Sequence, residues 1–318
     1  MQLVGALNFY ARFTPSFSRL GYLWRRRGWV ALQPAFAGQT WLVTGASAGI
    51  GRAIARAAAG GGATVLAVAR SRDRLASLGE GLDPAAASRI HPLPADLSLC
   101  AGTAGLLERL AVAGRALDVL VNNAGVLRNQ HTLTAEGMET SFVVNLLSHY
   151  QLTEGLLASE GLAPGAVIVN MSSGGMYNVP FGLPGMDATR AEHHVGTLAY
   201  ARHKRAQVVL TEAWQQRLAP TGRRAYVMHP GWVATEGVRE SLPTFWKLQR
   251  PILRSPEEGA DTALWLCAER PAPVADSIWF DRRACPVHAF GYTRQAQCSL
   301  EELVVFLEAR LARAGFSR

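Results

Sequence analysis

The chain has 318 residues, 49% of them hydrophobic, which is enough to bury a large core in one α/β domain without disulfide staples. Its formal net charge of +8 comes almost entirely from scattered arginines, with no basic stripe interleaved with aromatics, and this argues against a nucleic-acid partner. The four cysteines (Cys100, Cys267, Cys285 and Cys298) form no CxxC pair and no metal-ligand spacing, so reduced thiols in a cytoplasmic protein and no metal site are expected.

Residues 1–37 read as an N-terminal amphipathic helical arm ahead of a single domain over 38–318. Leu3, Leu7, Tyr10, Phe13, Phe17, Leu20 and Trp24 recur at spacings of three and four, a helical period. Thr14-Pro15 predicts a break, with Thr14 as N-cap and Pro15 as the first helical residue. Arg25 to Arg27 then fall near a helix C-terminus, where cations are favoured, and Gly28 is a stop. The basic cluster follows the apolar stretch and Arg12 interrupts it, unlike a secretory leader, and the stretch is too short and polar to span a bilayer. Two readings stay open: an arm packed on the domain or on a partner subunit, or a segment lying on a membrane surface through residues 3–27.

From Thr40 onward strands and helices alternate. Thr40–Thr44, Ala63–Ala69, Ile90–Ala95, Val119–Val121, Ala166–Met171, Ala225–His229 and Ser277–Phe280 are apolar runs of strand length. Ile50–Ala59, Leu106–Ala113, Met138–Leu157 and Ala199–Leu218 are helical, and Ser255-Pro256-Glu257-Glu258 is a capping box opening another helix over Gly259–Ala268. The tail Ser299–Ala314 reads as an amphipathic helix for packing or homo-oligomer contacts. This order predicts an α/β fold, a Rossmann-type doubly wound parallel sheet with the helical arm in front.

Thr44-Gly45-Ala46-Ser47-Ala48-Gly49-Ile50-Gly51 joins the first strand to the first helix. Glycines at such a turn let backbone approach a pyrophosphate, and the helix N-terminus presents free N–H groups to it. Gly45, Ser47, Ala48, Gly49, Ile50 and Gly51 are therefore candidate cofactor contacts. The second strand ends at Ala69-Arg70, with Arg72 nearby and no carboxylate at the strand end. An arginine there accommodates a 2′-phosphate, so NADP(H) is expected over NAD(H). Asp96-Leu97 follows the third strand; Asp96 either accepts from the adenine amino group or caps the next helix.

Further motifs follow in order: Asn122-Asn123-Ala124-Gly125 after the fourth strand, Asn145 in the next helix, Ser172-Ser173 after the fifth, Tyr200-x-x-x-Lys204, and Pro230-Gly231 with Thr235 after the sixth. From about Gly38 to Phe280 the chain resembles the short-chain dehydrogenase/reductase superfamily. The stretches 173–176, 204–212 and 228–232, and the apolar arm, resemble its SDR family member 12 branch. The resemblance implies that Asn123, Ala124 and Gly125 contact the cofactor and that Pro230, Gly231 and Thr235 close over its nicotinamide. It further implies that Ser173 hydrogen-bonds a substrate oxygen, with Ser172 the competing serine. Tyr200 would protonate that oxygen and Lys204 would hold the nicotinamide ribose. Asn145 would hold a water linking the lysine to solvent, or else serve as a packed helix amide.

Tyr and Lys four apart share a helix face, and with seven tyrosines and two lysines chance supplies only about 0.04 such pairs. A neighbouring ammonium is expected to lower the phenol pKa from about 10. In a chain built on arginine, the retained Lys204 hints that a compact ammonium is required. Serine and tyrosine are farther apart here than in many members of the superfamily. The added stretch holds Met176, Tyr177, Phe181, Met186, His193 and His194, an elongation that resembles the retinol-reductase branches. It predicts a deep apolar wall over the nicotinamide. The two adjacent histidines point apart and imply no metal. Gly237–Arg254, with Leu242, Phe245, Trp246 and Leu248, is expected to supply the opposite wall. The reading is an NADP(H)-dependent oxidoreductase acting on a small lipophilic carbonyl or alcohol. The alternative is an NADP(H)-sensing regulator without turnover; a lyase or epimerase is disfavoured by the glycine spacing.

Overall fold

The computed structural model describes residues 2–316, with side chains from Phe9 onward, so those of Leu3 and Leu7 lie outside the described residues. One sheet holds β1 (Thr40–Thr44), β2 (Thr64–Ala69), β3 (Ile90–Pro94), β4 (Leu117–Asn122), β5 (Leu162–Met171), β6 (Arg224–Met228), β7 (Ser277–Phe280) and β8 (Arg283–Pro286). Their spatial order is β3-β2-β1-β4-β5-β6-β7-β8, parallel except for the antiparallel edge pair β7 and β8. The order reverses between β1 and β4, and in such sheets ligands bind outside the strand C-termini at that switch point.

The helices, in chain order, are α1 (Gln2–Phe17), α2 (Arg19–Arg26), α3 (Gly49–Gly60), short α4 (Arg72–Ala76) and α5 (Pro84–Ala87), α6 (Cys100–Ala113), α7 (Thr140–Phe142), α8 (Ser148–Ala158), α9 (Gly196–Leu218), short α10 (Glu236–Ser241) and α11 (Pro243–Gln249), α12 (Pro256–Glu269) and α13 (Leu300–Arg313). Successive strand residues face opposite sides of the sheet. Trp41 and Val43 pack with Ile54 and Ala58 of α3 and with Ala260 and Leu266 of α12. Leu42, between them, joins the opposite cluster with Leu106 of α6, Leu152 of α8, Leu210 of α9 and Leu307 of α13. Both faces are thus covered, which is why the strands read as continuous apolar runs. The tail helix serves packing, and the expected capping box at Ser255 and Glu258 is present.

Three expectations need correction. First, α1 does not break at Thr14: it runs through Pro15 to Phe17, and the interruption falls at Ser18, whose backbone is extended (φ −72°, ψ 171°). Pro15 removes one helical hydrogen bond, but Phe13 and Phe17, one turn apart, are both buried in one cluster and hold the helix on course. Second, β8 escaped the sequence reading. Its hairpin turn is Asp281-Arg282, both at positive φ (48° and 59°), where Asn-Gly or Asp-Gly is the usual signal. Third, the stretch 174–195 does not form an apolar wall over a groove. Met176 and Tyr177 pack with Phe13 and Phe17 of the arm, and Phe181 and Met186 join the core beside α13.

The arm lies on its own domain. Phe17 is buried, its carbonyl accepts from Trp232 N at 2.9 Å and Arg254 Nε at 2.9 Å, and Arg25 pairs with Asp281. Its outer face leaves Leu20 at 62% and Trp24 at 71% exposure.

Candidate active site

At the switch point Thr44 ties β1 to the loop after β4. Its hydroxyl accepts from Asn123 N (2.9 Å) and Ala124 N (3.0 Å) and donates to the Val121 carbonyl (3.1 Å). Asn123 Nδ2 donates back to the Thr44 carbonyl at 2.8 Å. Gly45 sits at φ +67°, and a Cβ there would lie 2.9 Å from Asn123 Nδ2. A Cβ on Gly51 would meet the Gly45 carbonyl, so this glycine lets the turn close on its own helix. Gly49, at φ +53°, places its Cβ direction 3.0 Å from Thr235 Cγ2, bringing Thr235 to the glycine turn. Ala48 caps α3 with no side-chain hydrogen bond, and Ile50 packs towards the α12 side.

A groove of about 150 Å³ lies across the ends of these strands, lined by Gly45, Ser47, Arg70, Asp96, Leu97, Ala124 and Gly125 among the expected residues. Ser98, Arg128, Thr140 and Val144 also line it, and no motif or spacing singled them out. Asp96 Oδ1 accepts from Ser98 N (2.9 Å) and Ser98 Oγ (2.7 Å) in a local turn, and it does not cap α6, whose first amides, Cys100 N and Ala101 N, donate to Glu136. The residues fit a dinucleotide: a backbone cradle that Cβ atoms would fill, an uncapped helix start and an arginine at the β2 end.

Gly125 joins this groove to the second half of the site. A Cβ on it would lie 3.4 Å from both Lys204 Nζ and Asn145 Oδ1. Lys204 is buried on α9, where Nζ donates to the Met171 carbonyl (2.7 Å) and Gln207 Oε1 (3.2 Å) and lies 5.6 Å from the Tyr200 ring centroid. A Cβ on Gly175 would lie 3.7 Å from Ser173 Oγ and 3.8 Å from the Tyr200 ring, so serine and tyrosine flank one glycine. Ser172, by contrast, turns inward and donates to the Lys204 carbonyl at 2.8 Å.

Asn145 sits in a π turn, Val143–Leu147, between α7 and α8. Such an extra residue re-aims a side chain within a helix. Its Oδ1 accepts from Val126 N (2.7 Å) and its Nδ2 donates to Val126 O (2.8 Å), so the amide side chain clamps the β4 loop. Its backbone carbonyl accepts from Gln207 Nε2 at 2.6 Å.

The electrostatics differ from the sequence expectation. Burial is the larger influence on Tyr200 and raises its pKa, while the Ser173 hydroxyl beside it acts the other way. Lys204 meets the face of the ring, not the phenol oxygen, and burial lowers its own pKa to about 7.

Pro230 and Gly231 face the arm and Arg254, not the groove lining. The Pro230 carbonyl accepts from Arg254 Nη1 at 3.2 Å, and a Cβ on Gly231 would lie 2.6 Å from the Arg254 guanidinium. Trp232 and Phe245 are 5.1 Å apart, and Tyr10 of the arm lies 5.7 Å from Trp232. No cluster of three or more His, Cys, Asp or Glu suited to a metal occurs among the described residues.

The sequence model of the short chain dehydrogenases matches residues 39–244, a span that contains the glycine turn, Asn145, Ser173, Tyr200, Lys204, Pro230, Gly231 and Thr235, but not Tyr10, Phe245 or Arg254. The chain belongs to the short-chain dehydrogenase/reductase family. It is 34% identical to dehydrogenase/reductase SDR family member 12 of Bos taurus, over 98% of this chain and 99% of that one. It is 33% identical to retinol dehydrogenase 12 of Homo sapiens, over 77% and 78% of the two chains. Among solved structures it is similar to a short chain dehydrogenase from Burkholderia cenocepacia in complex with NADP, at 25% identity and a TM-score of 0.59, over 73% of this chain and 91% of that one. Short-chain dehydrogenases/reductases are oxidoreductases that bind a nicotinamide cofactor and act on small molecules.

Proposed function

We propose that this short-chain dehydrogenase/reductase is an NADP(H)-dependent reductase or dehydrogenase of a lipophilic carbonyl or alcohol. The observation that carries the reading is Gly125, which lines the groove and also touches the Lys204 and Asn145 corner. The bound cofactor would supply or take up hydride at the substrate carbon. Ser173 would hold the substrate oxygen and Tyr200 would give or take its proton, while Lys204 beside the ring would supply positive charge. Asn123, Ala124, Gly125, Pro230, Gly231 and Thr235 would hold the nicotinamide half, and Gly45, Ser47, Ala48, Gly49, Ile50 and Gly51 the pyrophosphate. Arg70, at the end of β2 and in the groove, favours the 2′-phosphate. The aromatic group of Trp232, Phe245 and Tyr10 favours an apolar substrate.

Tyr200→Phe should cut turnover of lipophilic aldehydes and ketones, followed by NADPH absorbance, by about 10²-fold or more, with cofactor binding nearly intact. Retained turnover would sink the assignment. Tight NADPH binding with no turnover of any carbonyl would instead favour a sensor. Leu20 and Trp24, exposed beside Arg19, Arg26 and Arg27, favour a peripheral contact with anionic lipid in a protein of the cytoplasm.

A further inference from the structure

Lys204 is held by an amide that plays no part in the reaction just described. Gln207 lies one turn along α9, on the same face. Its Oε1 accepts from Lys204 Nζ at 3.2 Å, and its Nε2 donates to the Asn145 carbonyl at 2.6 Å and to His149 Nδ1 at 2.8 Å. This orientation is the one that works: turned over, the amide would set NH₂ against an ammonium and oxygen against a carbonyl. It also decides the tautomer of His149: Nδ1 accepts, so Nε2 carries the proton.

Gln207, Lys204, His149 and Asn145 are all buried. The charged or titratable groups around Lys204 are the Tyr200 ring and His203 on its own helix and His149 on α8; β5 offers only the Met171 carbonyl, and no ion pair reaches Lys204 among the described residues. Among the described residues, the only side-chain oxygen bonded to the ammonium is that of Gln207.

We propose that Gln207 is a positioning residue that sets the protonation of Lys204, its amide held in register by the Asn145 carbonyl and by a neutral His149. The proposal deepens the reading of Tyr200 and Lys204 as the reacting pair and rests on it for its catalytic meaning. An acceptor on the ammonium favours the charged form in a site that otherwise disfavours it. Burial keeps His149 from competing as a cation, with its pKa lowered to about 3.

The chain contains only two lysines, Lys204 and Lys247. Protein made with isotope-labelled lysine therefore gives two Cε signals, and exposed Lys247 serves as the internal reference. The wild-type Lys204 signal should titrate near pH 7. Gln207→Met removes the acceptor and should move that midpoint down, while Gln207→Glu should move it up, each by about one unit or more. A residue that merely packs would lower the melting temperature of both variants without moving the midpoint in opposite directions. If Gln207→Met does not fold, Gln207→Glu reads the question alone. Midpoints that stay at the wild-type value, or move the same way, overturn the proposal. Retained turnover in Tyr200→Phe would overturn the underlying assignment instead, and the lysine titration would still report on Gln207.

Discussion

The two ends of the molecule are held together by different means. At the groove, contacts are made by backbone: glycines that let strands, turn and helix approach, and a threonine hydroxyl serving two amides. At the arm, contacts are made by charge and aromatic rings. Arg254, 1% exposed, gives all five of its N–H groups to the Phe17, Ser16 and Pro230 carbonyls and to both oxygens of Asp281. Arg25 binds the same carboxylate, and Arg282 of the same turn pairs with Asp261 at 2.7 and 2.8 Å. Backbone solutions leave a motif in the sequence, because only glycine fits. Side-chain solutions leave none, because arginine and aspartate 27 residues apart look like any surface charges.

The sharpest way to break this comparison is to remove Arg254. Arg254→Ala leaves Asp281 buried with Arg25 as its remaining ion-pair partner and leaves the Phe17 carbonyl to Trp232 N alone. A loss of about 3–5 kcal/mol in denaturant unfolding is expected. A loss below about 1 kcal/mol would show that the arm end tolerates disassembly and is no more than a covering.

A smaller effect tests the groove end. Arg70→Ala should weaken NADPH by about tenfold or more, the worth of a charge-assisted hydrogen bond, and leave NADH unchanged. Equal weakening of both cofactors would remove the 2′-phosphate role and leave Arg70 as a loop cation.

The smallest effect lies on the outside of the arm. Leu20→Ser with Trp24→Ser should change stability by no more than about 0.5 kcal/mol per site, since both are exposed. Sedimentation with anionic vesicles should nevertheless fall. Unchanged sedimentation would assign the arm to packing alone. Deleting residues 1–27 is the poorer experiment, because it also uncovers Tyr177, Ile278 and Phe280.

Much of the site was legible in the sequence. Tyr200 and Lys204 share a helix face by spacing alone, and the glycine turn announced itself by its place between strand and helix. Gln207 was within reach of the same argument, three residues from Lys204 on that face, but a glutamine carries no motif. The choice between Ser172 and Ser173 was made by order in the motif. In the structure Ser172 is spent on the Lys204 carbonyl, whereas Ser173 stands with Tyr200 across Gly175. The elongated stretch before Tyr200 misled: Met176, Phe181 and Met186 are apolar both in a pocket wall and in a core, and composition does not distinguish the two.

Periodicity and glycine placement, both local properties of the chain, determined the alternating α/β order, the glycine turn between β1 and α3 and the shared face of Tyr200 and Lys204. Three matters were decided only by tertiary structure. The arm runs past Pro15 because Phe13 and Phe17 are buried in one cluster with Tyr177 and Phe280. Asp281 and Arg282 adopt left-handed backbone because ion pairs to Arg254, Arg25 and Asp261 hold them there. The pKa of Lys204 is lowered because folding removes it from water and leaves it an amide and a carbonyl for company. Each depends on groups distant in the chain or on the loss of solvent, and neither is written in local sequence.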